Sequence, residues 1–130
     1  MQIALIIVAA VLGALTWSLM EYCIHRWLGH DKRFAGNLFE TEHTAHHSRG
    51  NWFAAAWKKA AAATAVGVLV GVPGVLLLGP TLGVAYTGGL VGFYLFYELL
   101  HRLEHVNPGF TGYGRWARRH HFHHHFEDPR

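Results

Sequence analysis

The sequence predicts an all-α integral membrane protein: about three transmembrane helices plus a cytoplasmic histidine-rich helical cap holding a dimetal site. Three observations predict this. Two long runs carry no charge, the twelve histidines outnumber the 11 Lys plus Arg and the 8 Asp plus Glu, and every histidine lies outside the charge-free runs. A chain of 130 residues is expected to form a single domain over 1–130. Its charged fraction of 15% is well below the roughly 25% of a soluble domain. The hydrophobic fraction of 52% excludes disorder. Cys23 is the one cysteine, so no disulfide framework exists within the chain. The net charge of +3 comes from basic residues that form no nucleic-acid motif and lie between apolar runs. That pattern fits a membrane surface and no nucleic-acid partner.

The first charge-free run, Met1 to Met20, has the length of one span, placed at about 2–22. Met1-Gln2-Ile3 carries no positive side chain and the run is long for a signal peptide, so it reads as a retained span. The second run, Ala60 to Tyr97, is long enough for two spans, at about 60–78 and 81–100. Gly79-Pro80 reads as the turn of a helical hairpin, and Pro73 is expected to kink the arm before it. The Val-Gly and Gly-Gly steps suit helices that approach closely in lipid. All Lys and Arg fall in the two polar segments, 23–59 and 101–130. The positive-inside rule then places the N-terminus outside and both histidine segments in the cytoplasm.

The histidines form four clusters: His25/His30, His43/His46/His47, His101/His105 and His120–His121/His123–His125. His101 and His105 are i,i+4 neighbours on one helical face. The HxxHH triplets His43/His46/His47 and His121/His124/His125 are each expected to deliver three imidazoles from one turn to one side. His25 and His30 are five apart, off the face of a regular helix, so Gly29 is expected to end the helix and let His30 curl back. The halves resemble each other: a span, an acid (Glu21 or Glu98), a His-Arg pair, another His, then HxxHH. Each half offers five histidines, and ten imidazoles suit two metal ions with open positions. Imidazole suits iron, zinc, copper or nickel, while a structural zinc site would draw on cysteine. His123 breaks the pattern and reads as a bystander. Phe122 and the residues after His125 argue against a purification tag.

Around these, Glu21, Glu42, Glu98 and Glu104 are candidates to accept the second ring N–H of ligand histidines, with a plain Glu98–Arg102 helix pair as the competing reading. Arg26, Arg49, Arg102, Arg118 and Arg119 read first as anchoring and second as a head-group site. Trp17, Trp27, Trp52, Trp57 and Trp116 read as interfacial anchors.

The ordered motifs Glu21-Tyr22-x-x-His25-Arg26-x-x-x-His30, HxxHH, Tyr97-Glu98-x-x-His101-x-x-x-His105 and His120-His121-x-x-His124-His125 resemble the fatty acid hydroxylase/sterol desaturase superfamily, over about Glu21 to Phe126. The third and fourth motifs are most similar to the fatty acid 2-hydroxylase branch. Carotenoid hydroxylases have a longer spacing in the third motif, and a carotenoid or sterol hydroxylase is the alternative within the superfamily. The resemblance implies a membrane-bound non-haem di-iron oxidoreductase with two iron ions and O2 as co-substrate, zinc replacing iron on overexpression. It implies hydroxylation or desaturation of a membrane lipid such as a fatty acyl chain. Electrons would come from a cytochrome b5-like protein or a ferredoxin with its reductase. The implied metal ligands are His25, His30, His43, His46, His47, His101, His105, His121, His124 and His125, while His120 matches a family histidine of open role. Members often have four spans and continue past the last motif, so a minimal or truncated member is implied.

Other classes fit less well. A metal transporter would place its site near the bilayer midplane, and here Glu98, an acid within the expected spans, is close to an end. A bis-histidine haem protein needs few axial ligands. A hydrolytic two-metal site would recruit carboxylates, which are scarce between the HxxHH residues.

Overall fold

The computed structural model describes residues 1–109 and 111–127, all of them helical or in short connections. Arg130, counted above for orientation, and the end of the 101–130 segment lie outside the described residues. Helix α1 spans Gln2–Cys23, α2 Leu38–Arg49, α3 Ala56–Val106 and α4 Gly112–Phe126. A π-helix, Ile24–Gly29, continues directly from α1, and a 3-10 turn, Lys32–Phe34, leads to α2. The chain divides into two compact units, 1–21 with 55–96 and 22–54 with 97–130.

The first unit is made of apolar helix. A straight helix of the 51 residues of α3 would measure about 77 Å at the usual rise, far more than a bilayer core. The backbone breaks at Gly79, whose φ of 77° and ψ of 164° are open to glycine and closed to most side chains. Pro80 follows as the first residue of the next arm, where its missing N–H costs nothing. Gly67 faces Val91, Gly71 faces Thr87 and Gly74 faces Gly83, so the arms 56–78 and 80–106 run antiparallel. The expected hairpin is therefore present. The break in helical φ/ψ lies at Gly79, and Pro73 keeps helical φ/ψ.

α1 packs on the second arm through glycines. A Cβ on Gly13 would run into the Tyr86 carbonyl, and one on Gly89 into the Ala10 carbonyl. Leu90 is fully buried there, Tyr86 donates to the Thr16 hydroxyl at 2.8 Å, and Trp17 meets Tyr94 edge-on at 4.7 Å. Trp17 is thus a packing residue of this unit. Both α1, taken with its π extension, and α3 are long and apolar enough to cross a membrane. Only 17% and 6% of their most apolar windows are buried, which is unlike the core helix of a soluble protein.

The second unit holds the capped helices. Asn37 caps α2 by accepting from the Glu40 N–H, and its amide donates to the carbonyls of Leu28 and Phe34, tying α2 to the π-helix. Thr111 caps α4 by accepting from the Gly114 N–H.

Candidate metal centre

The π-helix explains the awkward spacing of the first histidine pair. Its i→i+5 bonding brings residues five apart onto one face. His25 and His30 thereby converge, with their Nε2 atoms 3.1 Å apart. The helix widens at this point and ends at Gly29 as expected, and His30, with a φ of −124°, turns back just beyond it. Gly29 is buried against His43 and Phe39, and a Cβ there would sit 3.0 Å from His43 Cδ2.

All ten sequence-predicted histidines come together in two groups of five. The first is His25, His30, His43, His47 and His124; the second is His46, His101, His105, His121 and His125. Within each group one nitrogen per ring lies within 4.8 Å of every other. The groups do not follow the two halves of the sequence. Each half keeps four histidines and exchanges one, His46 against His124. Helix geometry requires the exchange: at about 100° per residue, an i+4 ring stands about 40° from the first and an i+3 ring about 60° to the other side. The outer histidines of each HxxHH therefore serve one group and the middle one serves the other.

Five rings of the first group form a chain of Nε2 contacts. His43 meets His30 at 2.9 Å, His30 meets His25 at 3.1 Å, His25 meets His124 at 2.9 Å and His124 meets His47 at 3.1 Å. In the second group His46 meets His101 at 2.9 Å and His105 meets His121 at 2.7 Å. A metal ion with bonds to nitrogen of about 2.1 Å sets adjacent ligands about 3 Å apart and opposite ones about 4.2 Å apart. The spacing in both groups fits that pattern.

Protonation fits it too. Burial, then neighbouring imidazoles, push His47 and His125 down to about 3, and hold His43 and His121 lower still. His30 is lowered by burial and by His25. Near pH 7 these rings are neutral, the state a metal needs. The His46 Nδ1 lies 2.7 Å from the Trp52 carbonyl, which can only accept. The proton is therefore on Nδ1, and Nε2 offers its lone pair to the group. Glu104 Oε2 stands 3.6 Å from the His121 Nδ1, an arrangement of the same sense. His125 is buried with both ring nitrogens lacking a hydrogen-bond partner, an uncompensated cost of about 1–3 kcal/mol per polar group that a bound cation would relieve.

Aromatic rings wall the groups. Phe39 stacks on His43 at 5.5 Å; Phe53 lies 5.9 Å from His101 and 5.5 Å from His105; Tyr97 stacks on His101 at 5.8 Å. His123 lies outside both groups, exposed, with Nδ1 3.3 Å from Glu127. His120 is likewise outside and stacks on Trp116 at 5.4 Å. Of the expected head-group arginines, Arg102 lies over Phe53, Arg26 over Tyr22 and Arg118 over Phe122. Two features left no mark in the residue types: the Trp52 carbonyl is backbone, and the π-helix has no simple composition. The spacing of five between His25 and His30 was its one visible trace.

A helical chain with apolar helices long enough to cross a membrane and two convergent groups of five histidines that could each hold a metal ion defines the class: a membrane-type protein with a candidate two-metal centre. A family model described as fatty acid hydroxylase matches residues 10–130, and the chain belongs to that family. It is 29% identical over 128 residues to the ceramide very long chain fatty acid hydroxylase scs7 of Schizosaccharomyces pombe, covering 91% of this chain and 36% of that protein. The chain thus spans about a third of that relative's length. No solved structure matches it.

Proposed function

We propose that this chain is the membrane-embedded oxidoreductase domain of a lipid hydroxylase, acting on a fatty acyl chain with O2 and two electrons. The observation that carries this reading is the sorting of ten histidines into two groups of five at ligand spacing. Family membership and the relative's name supply the acyl substrate class, and the third and fourth motifs favour a 2-hydroxylase type. The ten histidines would hold two iron ions, which when bound would supply O2 chemistry at an unactivated C–H bond. The chain's own residues do the rest. His46 holds its lone pair inward through the Trp52 carbonyl, Phe39 and Phe53 wall the rings, and the five candidate ligands of each group are all imidazoles, with the Glu104 carboxyl outside them beside the His121 Nδ1.

The reading includes three spans, α1 and the two arms of α3, with the N-terminus outside and the histidine segments cytoplasmic. Positive charge confined to 23–59 and 101–130 supports it. Cysteines engineered at Asn37, Gly79 and Gly112 test it: the one at 79 should label from the opposite side to the other two. The function is tested with reduced, iron-loaded protein and membrane lipids under 18O2. Label in a hydroxylated acyl chain is the expected result. A product that forms equally well without oxygen would overturn the reading.

A further inference from the structure

The face of α4 turned away from the histidine groups carries a second feature. At helical spacing, Arg115, Arg119, Phe122 and Phe126 fall on one side, while His121, His124 and His125 fall on the other. That side opens into a groove of about 870 Å³, lined by those four residues with Pro108 and Arg118. The Arg118 guanidinium lies 4.4 Å above the Phe122 ring and donates to the carbonyls of Glu104 and Asn107. The guanidinium is thus held in place by two backbone carbonyls, with the Glu104 carboxyl also in electrostatic range. At the rim, Glu127 pairs with His123 at 3.3 Å, and three arginines line the groove.

The floor of the groove leads to the candidate metal centre. Phe122 contacts His105 at 5.4 Å, His121 at 6.0 Å and His125 at 6.2 Å between ring centroids. These are three of the five histidines of the second group. One aromatic ring separates a cationic, partly apolar groove from that group.

We infer that this groove docks an acidic one-electron carrier protein, and that electrons enter the second histidine group past Phe122. The inference rests on the proposed function, which needs two electrons. Each encounter oxidises the carrier by one electron and reduces a bound iron ion by one, and two encounters supply the pair. A cationic rim around an apolar floor complements an acidic surface with a nonpolar centre, and such rims act mainly through association rate and salt dependence.

The experiment uses the full chain in neutral phosphatidylcholine nanodiscs and a plant-type [2Fe–2S] ferredoxin as probe. Binding is measured on metal-free and iron-loaded protein, and reduction of bound iron is followed with reduced ferredoxin and with dithionite. The double variant Arg115→Glu, Arg119→Glu should weaken ferredoxin binding about tenfold at low salt, with the difference fading as salt rises. Arg49→Glu, a single charge reversal elsewhere, should change it little, and in the double variant iron content and dithionite reduction should stay as they were. Phe122→Leu should keep binding and slow reduction by ferredoxin several-fold. Equal binding by the wild-type chain and the double variant, no binding by the wild-type chain, or an unchanged rate in Phe122→Leu would overturn the inference. So would a double variant that loses only attachment to phosphatidylserine vesicles, which would assign the groove to lipid. A chain that binds ferredoxin as expected but holds no reducible iron would leave the docking surface standing and end the proposed function.

Discussion

His47 and His125 stack face to face, 4.0 Å apart and 9° from parallel, although they belong to different histidine groups. Together with the exchange of His46 and His124, this contact makes the two groups one packed body. A substitution in either HxxHH triplet should therefore be felt on both sides. Replacing His124 by Ala should lower metal content from about two ions per chain toward one or fewer. His123→Ala should leave it unchanged, because that ring lies outside both groups. Elemental analysis of the two variants checks this, and equal loss from both would break the separation of ligands from bystander.

Gly29→Ala tests the fit of the π-helix against α2. The new methyl would meet His43 Cδ2 at 3.0 Å and Phe39 Cε1 at 3.2 Å. His43 must yield by a few tenths of an ångström, so metal affinity should fall while helix content stays the same. Calorimetric metal titration with circular dichroism reads both.

Glu104→Gln keeps size and removes the carboxyl facing the His121 Nδ1, a group that burial pushes up to about 7. If the carboxylate orients that imidazole, metal affinity should drop about tenfold, the lower end for lost outer partners of metal ligands. A competition titration against a chelator measures it, and an unchanged affinity would show that Glu104 has no positioning role.

The metal-free chain should be acid-sensitive. Unfolded imidazoles titrate near 6.5, and folded His47 and His125 near 3. Between those values the unfolded chain binds more protons, so stability is fully present above about 6.5 and is lost as pH falls toward 3. Denaturant midpoints in detergent at pH 7.5 and pH 5 should differ, with the lower value at pH 5.

Gly13→Ala should destabilise the apolar unit, because its methyl meets the Tyr86 carbonyl, a backbone atom with no rotamer to escape into. Overpacking of this kind costs about 1–3 kcal/mol. A lower thermal midpoint than that of Ser18→Ala, an exposed site on the same helix, is the expected outcome.

Much of this protein is written in one dimension. Charge-free runs mark where helices can lie in lipid, Gly79-Pro80 marks the turn between the arms of α3, and four histidine clusters mark the candidate ligands. These are legible because they depend on local properties: hydropathy, the φ freedom of glycine, and the periodicity of one helix. The partition of ligands is not local. Sequence symmetry suggests that each half fills its own site, yet His46 and His124 change sides. A helical turn cannot point i+3 and i+4 side chains the same way, and only the second helix beside it determines what each direction meets. The same holds for His25 and His30, which share a face only because the helix widens into a π turn, and for the Trp52 carbonyl that sets the His46 tautomer. Residue types chose the donors; packing between distant segments decided which five converge.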